Sequence, residues 1–278
     1  CDHFRNGAGQ RRGPVSCVLR DAHPGAVYGF DSISAAVILV IICFNLPITA
    51  GLSFRGSLEE HFGQGFAADY SDYPLAQPPE SRRLQAQEHC DGGGTPDIEG
   101  IECIHGHFLP LKYHFLADDP QCRFVAWLRE PVARLVSHYD YWQAAYNPGA
   151  DSTSALHARV VEEGWTLEQF CLAPELRNIY TEFLWGFPLE RLDFVGITEH
   201  FAEDLRYFST VFLGNKLQPR HVNRQSGHSG GEGKARLAPE IDEQVRRYHS
   251  ADVALFRWAL QLREARLRAH RQVSNANA

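Results

Sequence analysis

Two arginines and a serine follow a short apolar run at the point where a helix is expected to begin. Residues 124–128 (FVAWL) are typical of a buried strand, and Pro131 suits a first helical turn, where its missing N–H costs nothing. Arg129 therefore lies between strand and helix, and Arg134 and Ser137 share one face of that helix. Two guanidinium groups and a hydroxyl at such a junction predict an anion-binding site. The alternative is a solvated helix start in which Arg134 pairs with the preceding glutamate.

A second junction of the same kind lies earlier in the chain. Residues 35–44 form an apolar, β-branched run, residues 45–55 (NLPITAGLSFR) follow, and a helix is expected to continue to about Gly63. Small residues let backbone N–H groups approach an anion, and a helix N-terminus adds positive potential. The alternative is an ordinary strand-to-helix turn. A Walker-type nucleotide site is disfavoured because the chain contains no G-x-x-x-x-G-K-[ST].

Two histidines lie in a third segment, residues 101–108, which is typical of a strand that runs into a loop. His105 and His107 are candidates for acid–base chemistry because the pKa of histidine lies near neutrality. An H-x-H pair can also bind a metal or be purely structural. We predict no metal site, since no third ligand occurs at a diagnostic spacing.

Together these segments resemble the sulfotransferases that use 3′-phosphoadenosine 5′-phosphosulfate (PAPS). The pattern R-x-P-x-x-R-x-x-S-x-Y resembles their 3′-phosphate motif, which implies that Arg129 and Ser137 bind that phosphate. The loop resembles their motif P-K-[TS]-[AG]-[GT]-[TS]-[ST], which implies PAPS as co-substrate, without a metal. The loop residues implied to bind the 5′-phosphosulfate are Pro47, Thr49, Ala50, Gly51, Leu52 and Ser53.

The histidine segment resembles the carbohydrate O-sulfotransferases, above all the heparan or uronyl 2-O-sulfotransferase-like branch. The resemblance implies that a histidine here is the general base, with His107 as the first choice and His105 as the second. It also implies a glycan hydroxyl as the acceptor. Asn178 resembles a further family segment but is equally well explained as a polar residue on a helix surface.

Two loop positions depart from the family pattern. Ile48 stands where the family has a lysine that contacts the transferring sulfuryl group, and Leu52 stands where it has a small hydroxyl residue. The chain has only three lysines, all distant in sequence, so Arg55 is the candidate substitute if its side chain points back over the loop. The departures motivate an alternative function, a degenerate relative that binds nucleotide or glycan without efficient transfer. An unrelated kinase or nucleotide-binding module that prefers ATP with magnesium is a third hypothesis.

Alternating strands and helices predict an α/β fold, and the resemblance implies a three-layer, P-loop-like sulfotransferase fold with a central, mainly parallel sheet. We expect one domain over residues 26–265, with disordered tails at 1–25 and 266–278. Residues 221–234 are rich in Gly, Ser and His and predict a flexible lid. A last amphipathic helix is expected over about 238–264, with a break near Ser250 and a solvated basic end at 263–271.

The composition limits the partners. The net charge of −7 offers no general attraction to nucleic acid, and no apolar stretch reaches the roughly 20 residues of a membrane span. Seven cysteines without a C-x-x-C favour a reducing compartment, although Cys90 with Cys122 or Cys171 could bridge in a secreted protein. We therefore expect a bacterial cytoplasmic protein, with the Golgi lumen as the alternative. The sequence predicts no oligomeric state.

Overall fold

A computed structural model describes residues 40–49, 51–72, 77–91, 98–150, 153–214, 217 and 237–276. Several predictions fall outside this part of the chain. They concern the tail at 1–25, the lid at 221–234 and the loop residue Ala50. The side chain of Leu52 is likewise not described.

The described strands form one parallel sheet, which confirms the predicted α/β class. The strands are β1 (Val40–Phe44), β2 (Phe66–Ala68), β3 (Cys103–Gly106), β4 (Cys122–Leu128) and β5 (Leu192–Ile197). Their order is β2-β3-β1-β4-β5, and every pairing is parallel. All carboxyl ends therefore meet at one edge of the sheet.

Helices cover both faces of this sheet. They are α1 (Gly51–Phe62), α2 (Pro79–Asp91), α3 (Pro131–Ala145), α4 (Ala155–Glu162), α5 (Leu167–Cys171), α6 (Ile179–Phe183), α7 (Phe201–Phe212), α8 (Pro239–Tyr248) and α9 (Ser250–Ala276). Side chains of β1 alternate between the faces: Ile41 and Cys43 pack with α1 and α7, whereas Ile42 and Phe44 pack with α3, α6 and α9. The three-layer arrangement follows from this alternation, since each face of a buried sheet must be covered.

The chain order places a crevice beside β1. After β1 the chain moves to β2 and β3 on one side, and then crosses β1 to reach β4 and β5 on the other. The loops that leave β1 and β4 therefore diverge from neighbouring carboxyl ends. In open parallel sheets such a switch point is where ligands bind, and the two predicted anion segments lie there.

The C-terminal helix corrects two predictions. The predicted break near Ser250 is present, because α8 ends at Tyr248 and α9 begins at Ser250. However, α9 continues to Ala276, so most of the segment predicted as a disordered tail at 266–278 is helical. Its basic residues are not all solvated either: Arg263 and Arg266 lie 2.9 and 3.1 Å from the fully buried carboxylate of Asp204. These ion pairs hold α9 against α7 and extend its ordered length.

Candidate functional site

The junction between β4 and α3 is fixed by contacts on both sides. Glu130 is the N-cap of α3, and its Oε2 accepts a hydrogen bond from Ala133 N at 2.7 Å. The hydroxyl of Tyr180 accepts a bond from Arg129 N and donates one to Arg129 O, both at 3.3 Å. Glu199 Oε1 accepts a bond from Glu130 N at 2.9 Å. The backbone of Arg129, directly after β4, is thus held by Tyr180 of α6, a helix about 50 residues later in the sequence.

A cleft of about 400 Å³ opens beside this junction, between α3 and α8. It brings together two residues that the sequence assigned to one anion site, Arg129 and Ser137. Its polar lining is completed by residues that the sequence analysis missed, namely Glu130, Asp140, Asp242 and Arg246. Arg129 and Ser137 therefore line the same cleft, but acidic side chains line it as well.

Arg134 does not belong to this cleft, contrary to the prediction of two converging arginines. Its side chain is fully buried, with the guanidinium 5.4 Å from the centre of the Tyr180 ring and Nη1 3.5 Å from His138 Nδ1. Among the described residues, its Nε and Nη2 have no hydrogen-bond partner. The alternative pair with Glu130 is also absent, since Glu130 caps α3 and binds Arg246 instead. Arg134 lies on the side of α3 that packs against Tyr180, so its guanidinium faces the core rather than the cleft.

The loop after β1 has the predicted strand–loop–helix form, since α1 begins at Gly51. The hydroxyl of Thr49 is buried and donates to Leu46 O at 2.8 Å, so it stabilises the loop from within. The hydroxyl proton of Thr49 is therefore used within the loop and is not available to an anion. At Gly51, a β-carbon would lie 2.0 Å from Asn45 Oδ1, so a larger residue here would have to displace the Asn45 side chain.

Ile48 adopts a left-handed backbone conformation, with φ of 62°. A β-branched residue in this region is a genuine outlier and costs on the order of 1–3 kcal/mol. The position that departs from the family pattern is thus also the strained position of the loop. Pro47, beside it, is buried, and Ser53, the third residue of α1, accepts a hydrogen bond at its carbonyl from Ser57 Oγ at 3.2 Å.

His107 packs directly against this loop. Its Nδ1 donates a short hydrogen bond to Asn45 O, while Asn45 Nδ2 lies 3.5 Å from Nε2. Because a carbonyl only accepts, the neutral ring carries its proton on Nδ1 and leaves Nε2 as an acceptor. Burial lowers the pKa of His107, although the bond to Asn45 opposes that shift. A neutral imidazole with an unprotonated nitrogen at the strand edge is equipped to take a proton.

His105 is a weaker candidate for proton transfer because it is sealed in the sheet. Its side chain is 1% exposed, and its Nδ1 lies 3.3 Å from the hydroxyl of Tyr70. Burial, with a smaller effect from the charges of His107 and Arg55, lowers the pKa of His105 to about 3. The structure therefore places His105 deeper in the sheet than His107. Their roles stay predictions.

Arg55 does not point back over the loop as the missing lysine would. It forms an ion pair with Glu59 at 2.7 Å, and its guanidinium lies 5.2 Å from the centre of the Tyr70 ring. Lys112, which follows β3, is also engaged, with Nζ 2.7 Å from Asp69 and 2.8 Å from Ser71 Oγ. Neither cation is therefore held against the loop that contains Ile48.

Two aromatic rings that the sequence analysis missed pack around His107. The ring of Tyr70 lies 5.3 Å from that of His107, nearly perpendicular to it, and Phe183 lies 6.4 Å away. Asn45 follows β1 directly and Tyr70 lies two residues beyond β2, and these positions at strand ends were the available signal. Among the described residues, no group of His, Cys, Asp or Glu could hold a metal ion, and none of the helices could cross a membrane.

Comparison with solved structures finds sulfotransferases. The chain is similar to a sulfotransferase from Alicyclobacillus acidocaldarius, with 16% identity, a TM-score of 0.36, and coverage of 77% of this chain and 92% of that one. It is also similar to mouse sulfotransferase SULT7A1 complexed with PAP, with 14% identity, a TM-score of 0.32, and coverage of 79% and 66%. No protein-family model and no curated protein matches the chain. At these TM-scores, neither likeness by itself identifies the family or function of this chain.

Proposed function

We propose that this protein transfers a sulfuryl group from PAPS to a hydroxyl group of a carbohydrate acceptor. The observation that carries the proposal is spatial. Arg129 and Ser137 line one cleft at the end of β4, and His107 contacts the loop that leaves the neighbouring strand β1. These groups come from the three segments that resemble the PAPS-dependent sulfotransferases.

The 3′-phosphate of PAPS would bind in the cleft between α3 and α8. Arg129 supplies a charged donor, and Ser137 supplies a hydroxyl, two turns along the same helix. The 5′-phosphosulfate would lie against the backbone amides of residues 49–53 at the start of α1. The strands β3 and β4 flank β1, so the base and the phosphate cleft lie roughly 10 Å apart, two strand spacings. This separation leaves the nucleotide room to lie across the end of β1.

His107 would act as the general base. Its Nε2 would take the proton of the acceptor hydroxyl while that oxygen attacks sulfur. The new oxygen–sulfur bond forms as the bond from sulfur to the bridging phosphate oxygen breaks, which releases 3′-phosphoadenosine 5′-phosphate (PAP). The negative charge that develops on the leaving phosphate would be stabilised by loop amides and the start of α1.

Ile48 favours a second candidate, a nucleotide-binding protein with impaired transfer. It offers no charge at the position where the family places a lysine, and neither Arg55 nor Lys112 replaces that charge. Loss of one preorganised transition-state donor typically lowers turnover by about 10²–10³-fold. The two candidates share the nucleotide site and differ in turnover.

A transfer assay with radiolabelled PAPS and a desulfated glycan tests both candidates. We expect wild-type protein to label the glycan without added metal, and His107→Gln to lose that labelling while it still binds PAP. His114→Gln, an exposed histidine near the same strand, is the matched control and should keep full activity. A rise in turnover of about 10²-fold in Ile48→Lys, at unchanged affinity for PAP, would identify the natural chain as the impaired form. Labelling from ATP with magnesium, and none from PAPS, would refute both candidates.

A further inference from the structure

Arg246 approaches the phosphate cleft from the wall opposite α3. It lies on α8, and its Nη1 is 2.6 Å from Glu130 Oε1 while its Nε is 2.6 Å from Asp242 Oδ2. Its side chain is 39% exposed, so the guanidinium remains open to the solvent of the cleft. Because Glu130 caps α3 directly after Arg129, Arg246 reaches the same strand–helix junction as the predicted anion ligand.

The charges of the cleft are unevenly matched. Arg246 is shared by two carboxylates, whereas no ion-pair partner of the Arg129 guanidinium lies among the described residues. Asp140 adds a further negative charge, three residues beyond Ser137 on α3. With Arg246 held by Glu130 and Asp242, a dianion that enters meets one unpaired guanidinium and a hydroxyl.

A phosphate in this cleft would compete for Arg246. A guanidinium has donors in a fork that matches phosphate oxygens, and a phosphate dianion is a stronger partner than a carboxylate already shared with a helix cap. Glu130 would keep its bond to Ala133 N after release, because a different oxygen makes that bond. The exchange therefore requires no change at the start of α3.

We infer that Arg246 is the second guanidinium of the 3′-phosphate subsite, and that nucleotide binding exchanges its ion pairs with Glu130 and Asp242 for the phosphate. This inference rests on the proposed function, since it names a further ligand of the same nucleotide. It assigns α8, the helix that follows residues 218–236, a direct part in binding.

The test is calorimetric titration with PAP on four variants of the full chain. Arg246→Gln should weaken binding at least tenfold, and Asp242→Asn should tighten it about threefold because one competitor for Arg246 is removed. The matched controls are Arg247→Gln and Glu243→Gln, which alter an exposed pair one residue further along α8, 3.4 Å apart. Both controls should bind PAP within twofold of wild type. Circular dichroism should show the same helix content for all variants.

A second probe, inorganic phosphate followed by thermal shift, separates the failure of this inference from that of the proposed function. If wild type binds PAP and Arg246→Gln binds it equally well, the inference is wrong and the proposed function stands. If wild type does not bind PAP but phosphate stabilises it and not Arg246→Gln, the nucleotide assignment fails and Arg246 remains an anion ligand. If neither ligand acts on wild type, both proposals are overturned.

Discussion

Acidification should destabilise this protein because several histidines are buried in the neutral form. Burial lowers the pKa of His249 to about 4 and that of His105 to about 3, and both side chains are at most 1% exposed. In the unfolded chain both rings would titrate near 6.5. Below that pH the unfolded state therefore binds more protons than the folded state. The free energy of unfolding therefore decreases as the pH is lowered.

The size of the effect follows from these two pKa values. Between pH 6 and pH 5 the unfolded state holds about 1.8 more protons than the folded state, which gives a slope of about 2.4 kcal/mol per pH unit. From pH 7 to pH 5 the free energy of unfolding should fall by about 4 kcal/mol, a large share of the typical 5–15 kcal/mol. His138, whose pKa burial also lowers, adds in the same direction. Burial raises the pKa of Asp252, so protonation of this carboxyl favours the folded state as the pH falls and opposes the histidine effect. The measurement therefore stays at pH 5 and above.

Urea unfolding followed by tryptophan fluorescence at pH 7, 6 and 5 measures this slope. His249→Gln should remove about half of it, because one of the two main proton-uptake sites is lost. His114→Gln, whose ring is exposed in the folded chain, should leave the slope unchanged. A flat free energy of unfolding over this range, or equal slopes for wild type and His249→Gln, would refute the view that these rings are buried and neutral.

Three further predictions concern the site and its support. The acid limb of kcat/KM for sulfuryl transfer should lie below pH 6.5, because burial lowers the pKa of His107, and a limb above that value would contradict its role. Tyr180→Phe should weaken PAP binding about tenfold in titration, because the hydrogen bonds of its hydroxyl to the Arg129 backbone are lost. The control Tyr139→Phe, which removes a hydroxyl that donates to Trp165 O, should not change PAP binding. Asp204→Asn should lower the free energy of unfolding in urea by about 3–5 kcal/mol, because the buried Asp204 carboxylate that pairs with Arg263 and Arg266 of α9 is lost. A loss below about 1 kcal/mol would contradict that support.

Local patterns in the sequence were sufficient for much of the fold. The apolar runs of β1, β4 and β5 and the Pro131 start of α3 are short-range signals, and they predicted these elements correctly. The strand β2 was missed because three residues, Phe66–Ala68, carry no readable alternation. The tail prediction at 266–278 was wrong because composition alone could not show that Asp204 pairs with arginines about 60 residues later.

The site was predictable in part for the same reason. Arg129 and His107 directly follow strand ends and Ser137 lies about two turns into α3, so their positions follow from local periodicity. Their partners come from distant segments: Tyr180 meets Arg129, and Arg246 meets the cap of α3. Which side of α3 faces the core, and hence the burial of Arg134, also depends on contacts with α6 that no local pattern encodes.

Calorimetric titration with PAP, beside AMP and ATP, on wild type and Arg129→Ala tests the central claim most directly. The proposed site predicts that wild type binds PAP much more tightly than AMP, because only PAP places a phosphate in the cleft of Arg129 and Ser137. It predicts that Arg129→Ala loses this preference and binds PAP and AMP alike. Folded wild-type protein that does not bind PAP, or a preference for PAP that survives Arg129→Ala, would contradict it.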